Sequence, residues 1–282
     1  KSDTAITTMP MSYSYGLSII NTHLLAGAKI IVNKESITSK VFWDYINRYK
    51  VSSLNGVPKF YEYLYKLKFH NFKTPYLKYI TQAGGYLDLK LKKYLLKLSH
   101  KKKFNFFVMY GLTEASPRVS VLNVKKYNGK IKSVGKPIKG VKLKIKKNKS
   151  KSGFIVIYGK NVCLGYSDKY EDLNKANENN FKFISSDIGR LDEDNFLYIL
   201  KRSNRISKIF GLRIDLSDIE KTLKKNNIEV VCSSDDQFIK IKTSKKNRFD
   251  KILDIIKKNY GINKNYIKLT KQKINTGNKY SI

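Results

Sequence analysis

The chain has 282 residues, of which 41% are hydrophobic and 12% aromatic, enough for a substantial core in one large or two ordinary domains. No apolar run reaches the length of a membrane span, and the first residues do not resemble a signal peptide. The two cysteines and three histidines are scattered, which argues against a metal site built from them and favours a reducing, cytoplasmic location.

The formal net charge of +35 is carried mainly by lysine, because only 7 of the 57 basic residues are arginines. Proteins that read nucleic acid rely on arginine for bidentate contacts to bases. Here lysine is spread along the chain beside asparagine, isoleucine and tyrosine, a mixture typical of AT-rich genomes. Nucleic acid is therefore not the expected partner, although the charge should speed the arrival of anionic ligands.

Strand and helix patterns alternate through residues 1–120. Apolar runs predict strands, and apolar residues at helical spacing predict helices, with Asp88 placed as the N-cap of the second helix. The predicted strands are 28–32, a segment 77–85 that ends in a glycine turn, and 104–111, and the predicted helices are 39–49 and 88–98. This alternation indicates an α/β domain with a mainly parallel sheet.

Short β segments separated by turn residues follow in residues 121–201, for example at 142–146, 153–159 and 195–202. They predict a β-rich part resembling a barrel or a sandwich. Residues 202–282 predict a separate, small α+β unit.

The predicted elements of that small unit begin with a helix, for which Ser217 and Glu220 have capping-box spacing. A hairpin follows over residues 229–244, and a second amphipathic helix over residues 249–261.

The stretch "VMYGLTEAS" (108–116) ends the predicted strand 104–111. Thr113 and Glu114 should project from the carboxyl end of this strand, where α/β proteins usually hold ligands. A hydroxyl at Thr113 suits a phosphate, and a carboxylate at Glu114 suits Mg²⁺, which prefers oxygen ligands. The alternative is that Thr113 caps a following helix, whose dipole favours Glu114.

Five motifs occur in the order found in one enzyme superfamily: "MPMSYSYGL" (9–17), "QAGGYLD" (82–88), "MYGLTEAS" (109–116), the nearly continuous 186–220, and a glycine-lysine element near the end. Through them the chain resembles the carboxyl-terminal two-thirds of an AMP-forming adenylating enzyme, the superfamily of acyl-CoA synthetases, peptide-synthetase adenylation domains and beetle luciferases. The resemblance implies a partial adenylate-forming enzyme fold. Residues 1–120 would form the second half of the large α/β domain, 121–201 its β-rich subdomain, and 202–282 a small mobile carboxyl-terminal domain.

The resemblance also implies an ATP or AMP site. Gly84 and Gly85 would cover one face of the adenine ring and Tyr110 the other, with Gly111 forming the turn that follows. Thr113 would contact phosphate, and Glu114 would hold Mg²⁺.

Other matching positions imply contacts with the ribose and with the acyl group. Asp187 would accept hydrogen bonds from the ribose hydroxyls, and Arg202 would reach the ribose or the α-phosphate. For Asp187 the alternative is a structural aspartate in a turn. Tyr13 and Tyr15 would lie beside the acyl pocket, although isolated tyrosines are more often part of a core.

In the resembling enzymes the small domain rotates between two reaction steps. Asn204 stands at the hinge position, where aspartate or lysine is usual, and Lys208 and Gly211 match a loop that lines the pantetheine tunnel. Lys279 would be the closing catalytic lysine, and the alternative is an ordinary lysine of the tail. It lies one residue late, because Asn278 follows Gly277 directly.

The family's phosphate loop, rich in serine, threonine and glycine, matches no stretch of this chain. In the family it comes before the first motif, so a missing amino-terminal segment is expected, and the chain by itself is expected to be inactive. The implied reaction joins a small carboxylic acid to ATP as an acyl-adenylate, then transfers the acyl group to a thiol of coenzyme A or of the phosphopantetheine on an acyl or peptidyl carrier protein. Three alternatives remain: a lysine-rich polyanion-binding module on a decayed enzyme scaffold, an inactive remnant, and half of a split ligase.

Overall fold

The computed structural model describes residues 2–147, 152–167, 169–202, 206–209, 212–234, 238–244 and 246–271. These residues form two compact units. The first unit contains Lys1–Ser185 and Gly189–Leu200, and the second contains Ser186–Ile188 and Lys201–Ile282. The domain boundaries expected at residues 121 and 202 stay predictions.

A seven-stranded sheet forms the centre of the first unit, in the order β2-β1-β3-β4-β5-β6-β7. Its strands are β1 (Thr4–Ile6), β2 (Lys29–Ile31), β3 (Ser53–Gly56), β4 (Tyr79–Gln82), β5 (Asn105–Gly111), β6 (Arg118–Asn123) and β7 (Lys136–Pro137). The first five run parallel to their neighbours. Strands β6 and β7 add antiparallel pairs. The mainly parallel sheet predicted from the alternating pattern is confirmed.

Four helices connect the strands: α1 (Ser14–Leu25), α2 (Lys40–Arg48), α3 (Pro58–Lys66) and α4 (Leu89–Lys101). Helix α2 begins after Ser39, and α4 begins after Asp88, whose carboxylate accepts from the backbone N–H of Lys90 at 2.8 Å. The predicted N-cap at Asp88 is therefore confirmed. Helices α1 and α3 lie where no helix is predicted. The serine, threonine and tyrosine residues of α1 and the three tyrosines of α3 have modest helix propensity.

Apolar side chains of α2, α3 and α4 pack on the sheet and form the main core. The largest fully buried members are Phe42, Tyr61, Phe69, Phe104 and Phe106. This core lies on one face of the sheet, and α1 packs against the strands through Tyr15 and Ile19 in a smaller cluster.

A second sheet has four strands in the order β11-β10-β9-β8. They are β8 (Lys142–Lys147), β9 (Gly153–Tyr158), β10 (Lys182–Leu191) and β11 (Leu197–Arg202). Leu143, Ile155, Ile157 and Leu197 bury one face of it. The β segments predicted in this part of the chain are confirmed.

The second unit combines two small sheets and two helices. Its elements are β12 (Ile206–Ile209), β13 (Leu212–Asp215), α5 (Leu216–Lys225), β14 (Val230–Ser234), β15 (Ile239–Thr243), α6 (Phe249–Tyr260) and β16 (Ile267–Lys271). Strands β14 and β15 form the predicted hairpin, and β16 joins β15 in parallel. An isoleucine-rich core that includes Ile219, Ile241 and Ile252 fills this unit.

The predicted capping box of α5 is wrong. The helix begins at Leu216, so Ser217 lies inside it and cannot be its N-cap. The carboxylate of Glu220 instead accepts a hydrogen bond from the backbone N–H of Cys232 at 2.9 Å. The Glu220 side chain, which the local spacing assigned to the start of the helix, thus contacts β14.

No helix in the described part of the chain combines the length and the apolarity that crossing a bilayer requires.

Candidate active site

Neighbouring parallel strands place two glycine turns at the same edge of the large sheet. Strand β4 pairs with β5 in parallel, with Gln82 opposite Val108, so Gly84 follows one strand at the edge where Gly111 ends the other. A three-residue turn, Thr113–Ala115, comes next, and Ser116 has a left-handed backbone with φ 54°. The expectation that Thr113 and Glu114 lie at the carboxyl end of the strand is confirmed.

The alternative role of Thr113 as a helix cap is wrong. The turn is a single 3₁₀ turn without a side-chain cap, and the chain continues directly into β6. The Thr113 hydroxyl lies 3.1 Å from the Ser14 hydroxyl at the start of α1. The first and third motifs of the sequence therefore meet in space.

Glu114 is 3% exposed, and the loop over residues 159–166 holds it in place. The Tyr166 hydroxyl donates to its Oε1 at 2.8 Å, and the backbone N–H of Cys163 donates to its carbonyl oxygen at 2.9 Å. The Asn161 side-chain amide donates to the carbonyl oxygens of Ala115 at 2.9 Å and Arg118 at 3.0 Å. The loop thus fixes both the backbone of the turn and the orientation of its carboxylate.

Two glycines are required by their surroundings. A Cβ at Gly111 would lie 2.1 Å from the carbonyl oxygen of Pro117, so any side chain would push β5 and β6 apart. Gly84 has φ +83°, and a Cβ there would lie 2.4 Å from the Tyr13 hydroxyl. Gly85 is less constrained, because its nearest neighbour would be Cγ of Pro58 at 3.2 Å. Glycine at the first two positions therefore lets the Tyr13 side chain and the β6 backbone approach this edge closely.

Tyr110 is partly buried and packs against the cluster that contains Ala115 and Val119. Its side chain therefore supports the second sheet's core, and its contact with adenine stays a prediction.

The two motif tyrosines of α1 differ in burial. Tyr15 is 3% exposed, and its hydroxyl donates to the carbonyl oxygen of Thr81 at 3.0 Å and lies 2.6 Å from the Thr81 hydroxyl. Tyr13 is partly exposed, with its ring edge-to-face on Tyr15 at 6.3 Å. Burial raises the pKa of both phenols, so both are neutral at pH 7. The buried Tyr15 therefore has a structural role, whereas Tyr13 is exposed enough to contact a ligand.

Asp187 lies within β10 and is 6% exposed, so its alternative role as a turn aspartate is wrong. It belongs to the second compact unit. Arg202 ends β11, and Lys208 lies in β12 opposite Arg213, but their side chains fall outside the described residues, as do Asn204, Gly211 and Lys279 entirely.

The donor set at Glu114 fits Mg²⁺ held mainly by nucleotide phosphates. Among the described residues, no group of three or more histidine, cysteine, aspartate or glutamate side chains could hold a metal ion by itself. Magnesium usually takes one or two carboxylates and completes its octahedron with phosphate oxygens and water. The buried carboxylate of Glu114, next to the hydroxyl of Thr113, is therefore a sufficient contribution of the protein to a magnesium site.

A parallel sheet that presents two glycine turns, a hydroxyl and a buried carboxylate at one edge has the form of a ligand-binding α/β enzyme. The family model described as AMP-binding enzyme matches residues 1–167, more than half of the chain. The chain belongs to the AMP-binding enzyme family, which confirms the resemblance inferred from its five motifs.

Curated relatives agree with this assignment. The chain is 28% identical over 221 residues to a 2-succinylbenzoate–CoA ligase of Bacillus velezensis, an alignment that covers 76% of this chain and 44% of that protein. A protein of the same name from Oceanobacillus iheyensis is 29% identical over 219 residues, with the same coverage. The chain therefore spans less than half the length of these relatives.

Solved structures confirm the fold. An o-succinylbenzoate CoA synthetase double mutant from Bacillus subtilis, bound to a product analogue, superposes with a TM-score of 0.72 at 22% identity, covering 96% of this chain and 57% of that one. The synthetase in complex with ATP and magnesium ion superposes with a TM-score of 0.61 at 23% identity, covering 96% and 58%. The predicted fold class, part of an adenylate-forming enzyme with a β-rich subdomain and a small α+β unit, is confirmed.

Proposed function

We propose that the protein carrying this chain activates a carboxylic acid with ATP as an acyl-adenylate and then transfers the acyl group to a thiol. The observation that carries the proposal is the buried Glu114 carboxylate beside Thr113, held at the end of β5 by Tyr166 and Cys163. Membership of the AMP-binding enzyme family and relatives named as CoA ligases support it. One neighbouring structure contains ATP and magnesium, which supports the same choice of cofactors.

The roles follow the chemistry of each group. Thr113 would donate its hydroxyl to a phosphate oxygen, and Glu114 would hold Mg²⁺. When bound, Mg²⁺ neutralises charge that develops on the phosphate oxygens. Gly84 and Gly85 cover one face of the adenine ring and Tyr110 covers the other. The reaction depends on positioning and charge stabilisation rather than on a covalent enzyme intermediate.

The second unit carries the remaining proposed groups. Asp187 accepts from the ribose hydroxyls, Arg202 contacts the ribose or α-phosphate, and Lys279 closes over the acid during adenylation. Lys208 acts in the thiol step, after rotation about Asn204. The roles of these residues are inferred from their positions in the motifs. The division of the chain into domains at residues 121 and 202 is part of the same proposal.

Coenzyme A is the favoured acceptor, because the curated relatives are CoA ligases. 2-Succinylbenzoate is the first acid to test for the same reason. A cytoplasmic location, where ATP and coenzyme A are abundant, completes the proposal.

The test is acid-dependent ATP–pyrophosphate exchange by the complete protein with 2-succinylbenzoate. Glu114→Gln keeps the shape of the side chain and removes its charge, so exchange should fall by about 100-fold or more, the scale of losing one charge-stabilising group. Glu62→Gln is the matched control, because Glu62 is an exposed carboxylate paired with Lys59 on α3. Equal exchange in the two variants would remove Glu114 from the site.

The 282-residue chain by itself is expected to show no exchange, because its sequence has no phosphate loop. Turnover by this chain would show that the loop is not needed.

A further inference from the structure

The hydroxyl groups of Ser14 and Thr113 meet at the edge of the large sheet that carries the candidate site, although 99 positions separate the two residues in the chain. Their oxygen atoms lie 3.1 Å apart, and either hydroxyl can donate. Ser14 is the first residue of α1, and Thr113 begins the turn that follows β5. Within the described part of the chain, Ser14 is the residue that holds the Thr113 hydroxyl by a hydrogen bond.

Ser14 has a fixed position because its helix is tied to β4 near both ends. Near the start of α1, the Tyr15 hydroxyl donates to the carbonyl oxygen of Thr81 at 3.0 Å. In the last turn, the Nε2 atom of His23 lies 3.1 Å from the Tyr79 hydroxyl. A helix held to the sheet in this way presents its first side chain with little freedom, as precise positioning of a ligand-binding group requires.

The Ser14 hydroxyl does not cap its own helix. Tyr13 occupies the N-cap position, and no side-chain hydrogen bond caps the helix there. Ser14 is half-buried and Thr113 is exposed, so a ligand can reach the pair from solvent. The contact between the two hydroxyls therefore lies where a phosphate oxygen could join it.

The direction of this hydrogen bond is determined once Thr113 binds a phosphate. A hydroxyl group carries a single hydrogen atom. In the proposed function Thr113 directs its hydrogen to a phosphate oxygen, so the hydrogen in the contact between the two residues has to come from Ser14. The bound state then contains a chain of hydrogen bonds from Ser14 to Thr113 to phosphate. Hydrogen bonds in such a chain polarise and strengthen one another.

We propose that Ser14 is a positioning residue for Thr113: its hydroxyl donates to Oγ1 of Thr113 and so keeps the Thr113 hydrogen directed at the phosphate of the bound nucleotide. The inference rests on the proposed function for the presence of that phosphate. It gives the first motif a part in nucleotide binding, in addition to the expected contact of its tyrosines with the acyl group.

Isothermal titration calorimetry of the complete protein with AMP and with adenosine tests the proposal, because the two ligands differ only in the phosphate. Ser14→Ala should raise the Kd of AMP by about 5-fold, the scale of one neutral hydrogen bond, and should leave the Kd of adenosine unchanged. Thr113→Val should raise the Kd of AMP further, because it removes the phosphate contact itself. Ser12→Ala is the matched control, since Ser12 is an exposed serine of the same segment, and it should change neither Kd.

A double-mutant cycle separates positioning from a structural role of Ser14. In the Thr113→Val background, Ser14→Ala should have no further effect on AMP binding, because Ser14 acts through the Thr113 hydroxyl. Independent effects of the two substitutions would assign Ser14 a structural role and overturn the inference. An equal loss of adenosine binding in Ser14→Ala would overturn it as well.

Failure of the inference and failure of the proposed function give different results. AMP binding that weakens in Thr113→Val but not in Ser14→Ala would overturn the role of Ser14 and leave the proposed function in place. AMP binding that Thr113→Val leaves unchanged, or no AMP binding at all, would overturn the inference together with the phosphate contact of Thr113. Coupled effects on AMP binding in a protein without acid-dependent exchange would support the inference and refute adenylation.

Discussion

A hydrogen bond from the Tyr166 phenol, which is distant in sequence, orients the Glu114 carboxylate. Tyr166 is 63% exposed, yet its hydroxyl donates to Oε1 of Glu114, a residue that is only 3% exposed. A neutral donor keeps the carboxylate in place without cancelling its charge, whereas a lysine or arginine would compete with a metal ion for it. Tyr166 is thus a positioning residue for the proposed magnesium ligand.

Removing this hydrogen bond should loosen magnesium binding. Tyr166→Phe in the complete protein is expected to raise the Mg²⁺ concentration for half-maximal exchange by about 10-fold, the lower end of losses seen for groups behind a metal ligand. At saturating Mg²⁺ the exchange rate should recover. Tyr170→Phe, a nearby tyrosine that is 80% exposed, is the control. An unchanged Mg²⁺ requirement in Tyr166→Phe would contradict the positioning role.

Helix α4 connects β4 and β5, the two strands whose ends form the candidate site. The position at which this helix begins therefore affects the geometry of the site. Asp88 caps it by accepting from the N–H groups of Lys90 and Leu91 at 2.8 and 3.4 Å. The apolar face behind this cap, with Leu91, Leu95 and Leu98, packs into the main core. The cap therefore determines where the chain leaves the glycine turn at Gly84 and enters the helix.

Asp88→Ala should lower the free energy of unfolding by about 1 kcal/mol, the usual cost of losing an N-cap. Asp88→Asn should recover most of it, because an amide oxygen also accepts from these N–H groups. Urea unfolding measures both. Asp44→Ala, at an exposed position of α2, is the control and should change stability by less than about 0.5 kcal/mol. A full-size loss in the asparagine variant would argue for the charge rather than the hydrogen bond.

The whole molecule carries a net charge of +35 on 282 residues, which must oppose its own compaction at neutral pH. The ion pairs of the described residues are mostly at exposed positions, and such pairs contribute little. Folding therefore depends on the apolar cores of the two units, while salt screens the repulsion between like charges.

Raising NaCl from about 0.02 to 0.3 M at pH 7 should raise the melting temperature, because screening weakens the repulsion of lysines over distances beyond about 10 Å. The effect should disappear near the isoelectric point of about 9.9, where the net charge approaches zero. Differential scanning calorimetry at the two pH values measures it. A melting temperature that falls with salt at pH 7 would show that attractive pairs outweigh the repulsion.

Most elements of the fold follow from local patterns. Strand β5 and helix α4 are predictable because an unbroken apolar run and a capped amphipathic pattern have few other stable arrangements. The capping box assigned to Ser217 and Glu220 fails, since the helix begins at Leu216, and the Glu220 carboxylate accepts from the N–H of Cys232 on another strand. Asp187 likewise lies at a buried position of strand β10, which its polar neighbours do not suggest.

The sequence by itself determined the family and the local chemistry of the site, because the strand, its glycine turn, Thr113 and Glu114 are consecutive and their geometry is local. Only the tertiary structure decided what surrounds them. Tyr166 reaches Glu114 across 52 positions, and a register shift brings Arg118 opposite Gly111. Such contacts depend on how strands pair and loops close, and no spacing within one segment encodes them.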